Sequence, residues 1–276
     1  MPSPRATPPR RNARSNQGWR RYAKRFRGAL RGRWLRQRWS AAPIALRILA
    51  IAAAFLIGLP LANLAWQVLR KPTELFVVIG HKLDKQPAET WRAYGAHFRT
   101  FSTDSISAEL LAALAQTESS GNPVTRTYWR FRWGWNPLAL YKPASSAVGL
   151  LQMTDPAFAE ASRFCIRGHQ AVSDCWLTSL YFRTLPSHAI ELGSIYLDRQ
   201  MAGVLASAPG KGASAQQKQD LAALIHLCGA RPARAFSRRG FKPLPGERCG
   251  DHLVSLYLAK VNVMAQQFAR LAKAGA

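Results

Sequence analysis

No Asp or Glu occurs in the first 73 residues of this 276-residue chain; the first acid is Glu74. Sixteen of the 39 Lys and Arg lie in that same stretch. The net charge of +25 is therefore concentrated in a basic arm, and the remainder, with 14 acids, is only moderately basic. A charge of this size spread over one folded surface would point to nucleic acid. Confined to an arm that stops at an apolar run, it does not, and no nucleic-acid partner is expected. Other absences narrow the field. There is no internal repeat, which excludes a solenoid. There is no Gly-rich phosphate loop and no compact His/Cys/Asp/Glu spacing, so neither a metal nor another cofactor is expected. Convincing runs of alternating strand pattern are missing, which leaves a mainly α fold.

What is present begins with residues 48–69, a 22-residue uncharged segment between Arg47 and Arg70. As a helix it would span about 33 Å, close to the hydrocarbon thickness of a bilayer. Pro60 is tolerable in such a helix and Trp66 suits its outer interface. A cleaved leader fits less well, because the preceding basic region is far longer than a usual n-region and no small-x-small site follows. The charge asymmetry puts the N-terminus in the cytoplasm. The chain therefore divides into a basic cytoplasmic arm (1–46), a transmembrane anchor (47–70), a linker (71–87, with an extended stretch at 75–79) and a folded exported domain (88–276). Within the arm, Trp19, Tyr22, Phe26, Leu30 and Trp34 recur at three- and four-residue steps among arginines. That pattern predicts a basic amphipathic helix on anionic inner-membrane lipids.

All four cysteines, Cys165, Cys175, Cys228 and Cys249, follow the anchor. An even number on the exported side is compatible with two disulfides. Three pairings are open, and short local loops favour Cys165–Cys175 with Cys228–Cys249. In the domain, apolar periodicity predicts helices over about 88–99, 108–119, 156–163, 187–203, 217–228 and 251–273.

The helix over 108–119 is the best marked. Ser107 is its N-cap and Gly121, Asn122 and Pro123 stop it. Its apolar stripe, Leu111, Leu114 and Ala115, continues at Glu118. A carboxyl on the buried face, at the negative end of a helix, suits a general acid, because burial and the dipole both disfavour its charged form. Glu118-Ser119-Ser120-Gly121-Asn122-Pro123 resembles the Glu-Ser-x-x-Asn-Pro signature of soluble-type (SLT) lytic transglycosylases. The run from Ala147 to Thr154, with Gly149, Leu150, Leu151 and Gln152, resembles their Ala-x-Gly-Leu-x-Gln motif. Gly193-Ser194-Ile195-Tyr196-Leu197 and Tyr257-Leu258 are similar to the two later motifs, and all four come in family order. Three departures stand out. Ala189 occupies a position usually Asn; Ile225-His226-Leu227-Cys228-Gly229 replaces the family's Ala-Tyr-Asn-Ala-Gly; and an aromatic and basic insert, residues 127–135, separates the first two motifs.

The resemblance implies a lysozyme-like (goose-type/SLT) helical domain, preceded here by the one transmembrane helix. It implies cleavage of the MurNAc–GlcNAc β-1,4 bond of peptidoglycan with formation of 1,6-anhydro-MurNAc, in the periplasm. Glu118 would serve as acid and then base. Ser119, Gly149, Leu150, Leu151, Gln152, Tyr196 and Tyr257 would contact substrate, with Ser119 bonding Glu118 or the sugar's acetamido group. Stacking of the insert's rings on glycan is a further expectation. Asp155, the nearest candidate for a second carboxylate, reads instead as a helix cap, and His169, His188, His226 and His252 as structural or surface residues. Two other readings stay open: a goose-type muramidase that uses water, and a membrane-tethered glycan-binding or assembly factor with weakened activity. General wall turnover and service to a cell-envelope-spanning machine are equally compatible with the sequence.

Overall fold

The computed structural model describes residues 38–78, 80–176, 178–207 and 212–275. Most of the basic arm, including nearly all of the amphipathic stretch expected over 17–39, lies outside them. Contacts divide the chain into two units, Met1–Ala62 and Asn63–Ala276. The first unit holds most of helix α1 (Ile44–Arg70), whose last two turns belong to the second. With 27 residues, α1 is long and apolar enough to cross a membrane, and its most apolar stretch is exposed. Pro60 lies inside it.

The second unit is mainly helical, as expected. Helix α2 (Pro87–Thr100) starts on a proline at its first turn, and Glu89 turns back to accept the Gln86 backbone N–H at 2.8 Å. Helix α3 (Ala108–Ser119) begins where the Ser107 hydroxyl accepts the Leu110 N–H. Every residue of α3 from Leu110 to Ala115 is buried. A helix apolar on all sides must be surrounded, and α3 is packed by α2, by α5 (Pro186–Ala206) and by α8 (Val254–Lys273). Trp91, Phe98, Phe236 and Phe268 fill the space around it. Helices α4 (Asp155–Ala161), α6 (Ala215–Cys228) and α7 (Ala230–Arg238) complete the shell. Three small antiparallel hairpins interrupt the helices: β1 (Trp129–Phe131) with β2 (Tyr141–Pro143), β3 (Cys165–Arg167) with β4 (Gln170–Val172), and β5 (Arg248–Cys249) with β6 (His252–Leu253).

Two expectations are corrected. Helix α7 is not among the helices expected from periodicity. Pro232 falls in the helix's first turn, where its missing N–H has no partner to lose. The linker over 71–87, with its extended stretch, is instead folded onto the domain as two 3-10 turns, Pro72–Val78 and Gly80–Leu83. Glu74 is the reason: this buried carboxylate meets Lys71 at 3.1 Å, Arg126 at 2.8 Å and the Trp129 indole N–H at 2.6 Å. Further along, the Lys85 N–H donates to the Ser120 carbonyl and Gln116 donates to the Lys85 carbonyl. A β-prone composition yields here to tertiary partners.

Candidate active site

Glu118 sits in the last turn of α3. The chain reverses immediately after it, because Ser120 and Gly121 both adopt left-handed backbone, at φ 52° and 68°. At Gly121 a Cβ would run into the Thr90 side chain, so only glycine fits. Asn122 locks the turn from below. Its amide donates to Asp84 at 2.8 Å and to the Gly80 carbonyl at 3.0 Å, and its oxygen accepts the Val124 N–H. The run from Glu118 to Pro123 is thus a device for holding one carboxyl at a helix end.

That carboxyl is not fully buried, contrary to the sequence expectation: the side chain is 22 % exposed. Tyr257, on α8, donates its hydroxyl proton to Glu118 Oε1 at 2.5 Å. His226, on α6, brings Nε2 to 3.7 Å from the same oxygen. Burial, then the negative charge of Glu118 and the hydrogen bond to it, push the Tyr257 hydroxyl well above its usual range, so it stays a donor. A hollow of about 310 Å³ opens on one side, lined by Thr117, Glu118, Arg248, Asp251, Leu256 and Tyr257 among others. A second, of about 250 Å³, has His226 in its wall with Leu151, Gln152, Met153 and Tyr196. The Glu118–His226 contact links a wall residue of the first hollow to one of the second.

The other residues singled out in sequence divide. Gln152 and Tyr196 line the second hollow, and Leu151 backs it. The Tyr196 hydroxyl is raised by burial and by Glu160. Gln152 takes a left-handed backbone and donates to the carbonyls of Thr125 and Gly149. Ser119, Gly149 and Leu150 line neither hollow. Ser119 is buried and does not bond Glu118. Its hydroxyl lies 2.8 Å from the Ala115 carbonyl and 2.7 Å from the Leu150 carbonyl, tying α3 to the second motif. Gly149 is required by packing, since at φ 87° a Cβ would strike the Arg183 carbonyl. Leu150 belongs to the core. Asp155 does not cap α4; Thr154 holds that position, and Asp155 pairs with Arg183 at 2.6 Å. Glu191 is buried and accepts the Ile166 N–H. Neither is an alternative to Glu118 at this site.

Two disulfides are formed, Cys165–Cys175 and Cys228–Cys249, with Cα separations of 6.0 and 5.7 Å. The first closes the β3–β4 hairpin. The second joins the end of α6, two residues after His226, to β5, just before Asp251 and Tyr257. It therefore braces both partners of Glu118. Among the described residues, no group of three or more His, Cys, Asp or Glu side chains is placed to hold a metal. The insert over 127–135 forms β1 and its turn, and none of its rings lines either hollow.

Sequence reasoning missed His226 and Asp251. The signal for His226 was present: it stands second in the stretch that departs from the Ala-Tyr-Asn-Ala-Gly pattern, so a polar side chain is retained there. Asp251 lies in a short hairpin turn that periodicity cannot register.

In comparison with known families, residues 98–215 match the one described as "Transglycosylase SLT domain". The matched stretch contains Glu118, Gln152 and Tyr196; His226 and Tyr257 lie beyond it. No curated protein matches the chain.

Proposed function

We propose, from the premise that residues 98–215 of this chain form a transglycosylase SLT domain of the lysozyme-like kind, that the protein is a membrane-anchored enzyme yielding 1,6-anhydro-MurNAc ends. Such a domain acts in lytic-transglycosylase-type cleavage of peptidoglycan glycan strands. The observation that carries the finer reading is the hydroxyl of Tyr257 on Glu118 Oε1 at the wall of an open hollow. It occupies one carboxyl oxygen and leaves the other to hold a transferable proton. Glu118 gives that proton to the glycosidic oxygen as the bond to C1 breaks, and the acetamido oxygen of MurNAc supports C1. The carboxylate then takes the proton of the sugar's own 6-hydroxyl, whose oxygen closes on C1. No water is consumed. His226, whose Nε2 lies 3.7 Å from Glu118 Oε1, helps to position the carboxyl, and Gln152 and Tyr196 contact glycan in the second hollow.

The membrane reading rests on α1 and on the absence of acids before Glu74. It places the N-terminus in the cytoplasm and the domain in the periplasm, where the two disulfides are stable.

Asp251 favours a second reading. It lines the same hollow as Glu118, so it could orient a water and make the reaction a hydrolysis. Digestion of purified sacculi by the full chain, followed by mass spectrometry of the muropeptides, decides. Anhydro products are expected, and Glu118→Gln should reduce their release at least about 100-fold. Hydrated products would transfer the assignment to the muramidase reading. No release by the unaltered chain would leave a glycan-binding or assembly factor.

A further inference from the structure

The hairpin formed by β1 and β2 has no part in the hollows. Its tip exposes Trp133 and Trp135 almost completely, at 90 % and 104 %, with Phe131 and Tyr141 more than half exposed. Arg130 and Arg132 alternate with these rings, and no acid occurs from residue 75 to residue 83 or from 127 to 154. Indole rings interleaved with guanidinium groups are the composition of a membrane interface, where rings sit among headgroups and arginines meet phosphates.

The hairpin is also fastened to α1. Only two residues of α1 are buried, and they are its two amide side chains, Asn63 and Gln67. Their amides donate to the carbonyls of Pro137 and Leu138, at 3.4 and 2.7 Å, in the turn between β1 and β2. Lys71 reaches the carbonyls of Ser145 and Ala147 beyond β2. From Asn63 to Arg70 the helix rises about 10 Å, so this turn runs alongside the last two turns of α1 instead of standing clear of its end. Trp66, between Asn63 and Gln67, carries the Arg70 guanidinium over its ring at 5.9 Å. In a soluble setting two amides in an apolar helix would need no such cover. Where the helix leaves a bilayer, an uncovered amide is costly, and bonding it to a backbone carbonyl satisfies both groups.

We propose that the β1–β2 hairpin is a membrane-interface element, whose tip over residues 131–135 lies in the anionic headgroup layer of the leaflet from which α1 emerges. This rests on the reading of α1 as an anchor and is independent of the chemistry at Glu118. Rings held beside the bilayer in this way are engaged by phospholipid and not by glycan.

The test places an environment-sensitive fluorophore at Gly134→Cys in the full chain, where a Cβ meets nothing within 4 Å. The labelled chain is reconstituted in vesicles of phosphatidylethanolamine and phosphatidylglycerol, with or without lipids spin-labelled near the headgroup. Blue-shifted emission and quenching of at least about twofold by the spin-labelled lipid are expected. A second label at Trp135→Cys, itself fully exposed, should respond likewise. If the chain floats with the vesicles but both labels emit as in water and ignore the quencher, the hairpin proposal is overturned and the anchor stands. Failure to float overturns both. Labels indifferent to lipid but shielded from aqueous iodide by added glycan strands would overturn it in favour of a carbohydrate role for the hairpin.

Discussion

Tyr257→Phe removes a single atom from the site and leaves its ring in the core. A hydrogen bond to a charged group contributes about 1.5–3 kcal/mol when its partners are cut off from water. Glu118 is 22 % exposed, so water replaces part of what is lost, and the expected stability change at neutral pH is about 1 kcal/mol or less. Turnover should suffer more. The carboxyl loses the contact that fixes its orientation, and misplacement of a reacting group by about 1 Å costs about 100-fold. A fall of roughly 10- to 100-fold in kcat with KM changed less than about twofold is expected. The alkaline range gives an independent reading. Folded, Tyr257 is held protonated beyond the ordinary tyrosine range, first by burial and then by Glu118; unfolded, it ionises near about pH 10. Above that pH the folded state keeps a proton that the unfolded state has lost. Stability is therefore complete below about pH 10 and declines above it, by up to about 1.4 kcal/mol per pH unit for each such group. Tyr181 and Tyr196 are raised as well and act with the same sign. The phenylalanine variant lacks one of these protons, so its stability should decline less steeply than the parent's. Muropeptide release at neutral pH and urea unfolding from about pH 8 to about pH 11 check the two halves. Parental turnover together with an unchanged alkaline slope would refute the placement of Tyr257 on Glu118.

Two further outcomes follow from the same frame. His226→Ala should lower kcat about tenfold or more with little change in melting, and His226→Tyr, which restores the residue type of the resembled pattern, should recover part of it; equal loss in both variants would leave His226 without a positioning role. Replacing Cys228 and Cys249 by serine removes a cross-link over 21 positions, a loss of about 3 kcal/mol in the chain-entropy description. Activity should fall further than in the Cys165/Cys175 double variant, because only the former pair braces His226 and Tyr257; identical activities would count against that bracing.

Much of the helical frame was legible because burial imposes a period on the sequence. Helix α3 shows its cap, its stripe and its stop in consecutive letters, and the structure begins and ends it at those residues. Glu118 stood out as a candidate for the same reason, since a lone acid on an apolar stripe is a local conflict. The companions of Glu118 were harder. Tyr257 and His226 come from helices 139 and 108 positions away, and nothing local separates a site tyrosine from a core one. Ser119 shows the converse error. Adjacency to Glu118 suggested a bond to it, but successive helix residues diverge by about 100°, and Ser119 turns into the core. The short hairpins were invisible because strands of two or three residues are too brief to alternate.

Glu74, the first acid in the chain, binds the end of α1 to the root of the hairpin through Lys71, Arg126 and Trp129. Had residues 71–87 been a flexible leash, the domain could have roamed about 20–25 Å from its mooring. The clamp abolishes that slack. For a chain anchored as proposed above, residues 71–87 then add no reach to the domain, which goes only where its mooring goes. Searching then becomes two-dimensional: new surface comes within reach by drift of the mooring and not by extension of a leash.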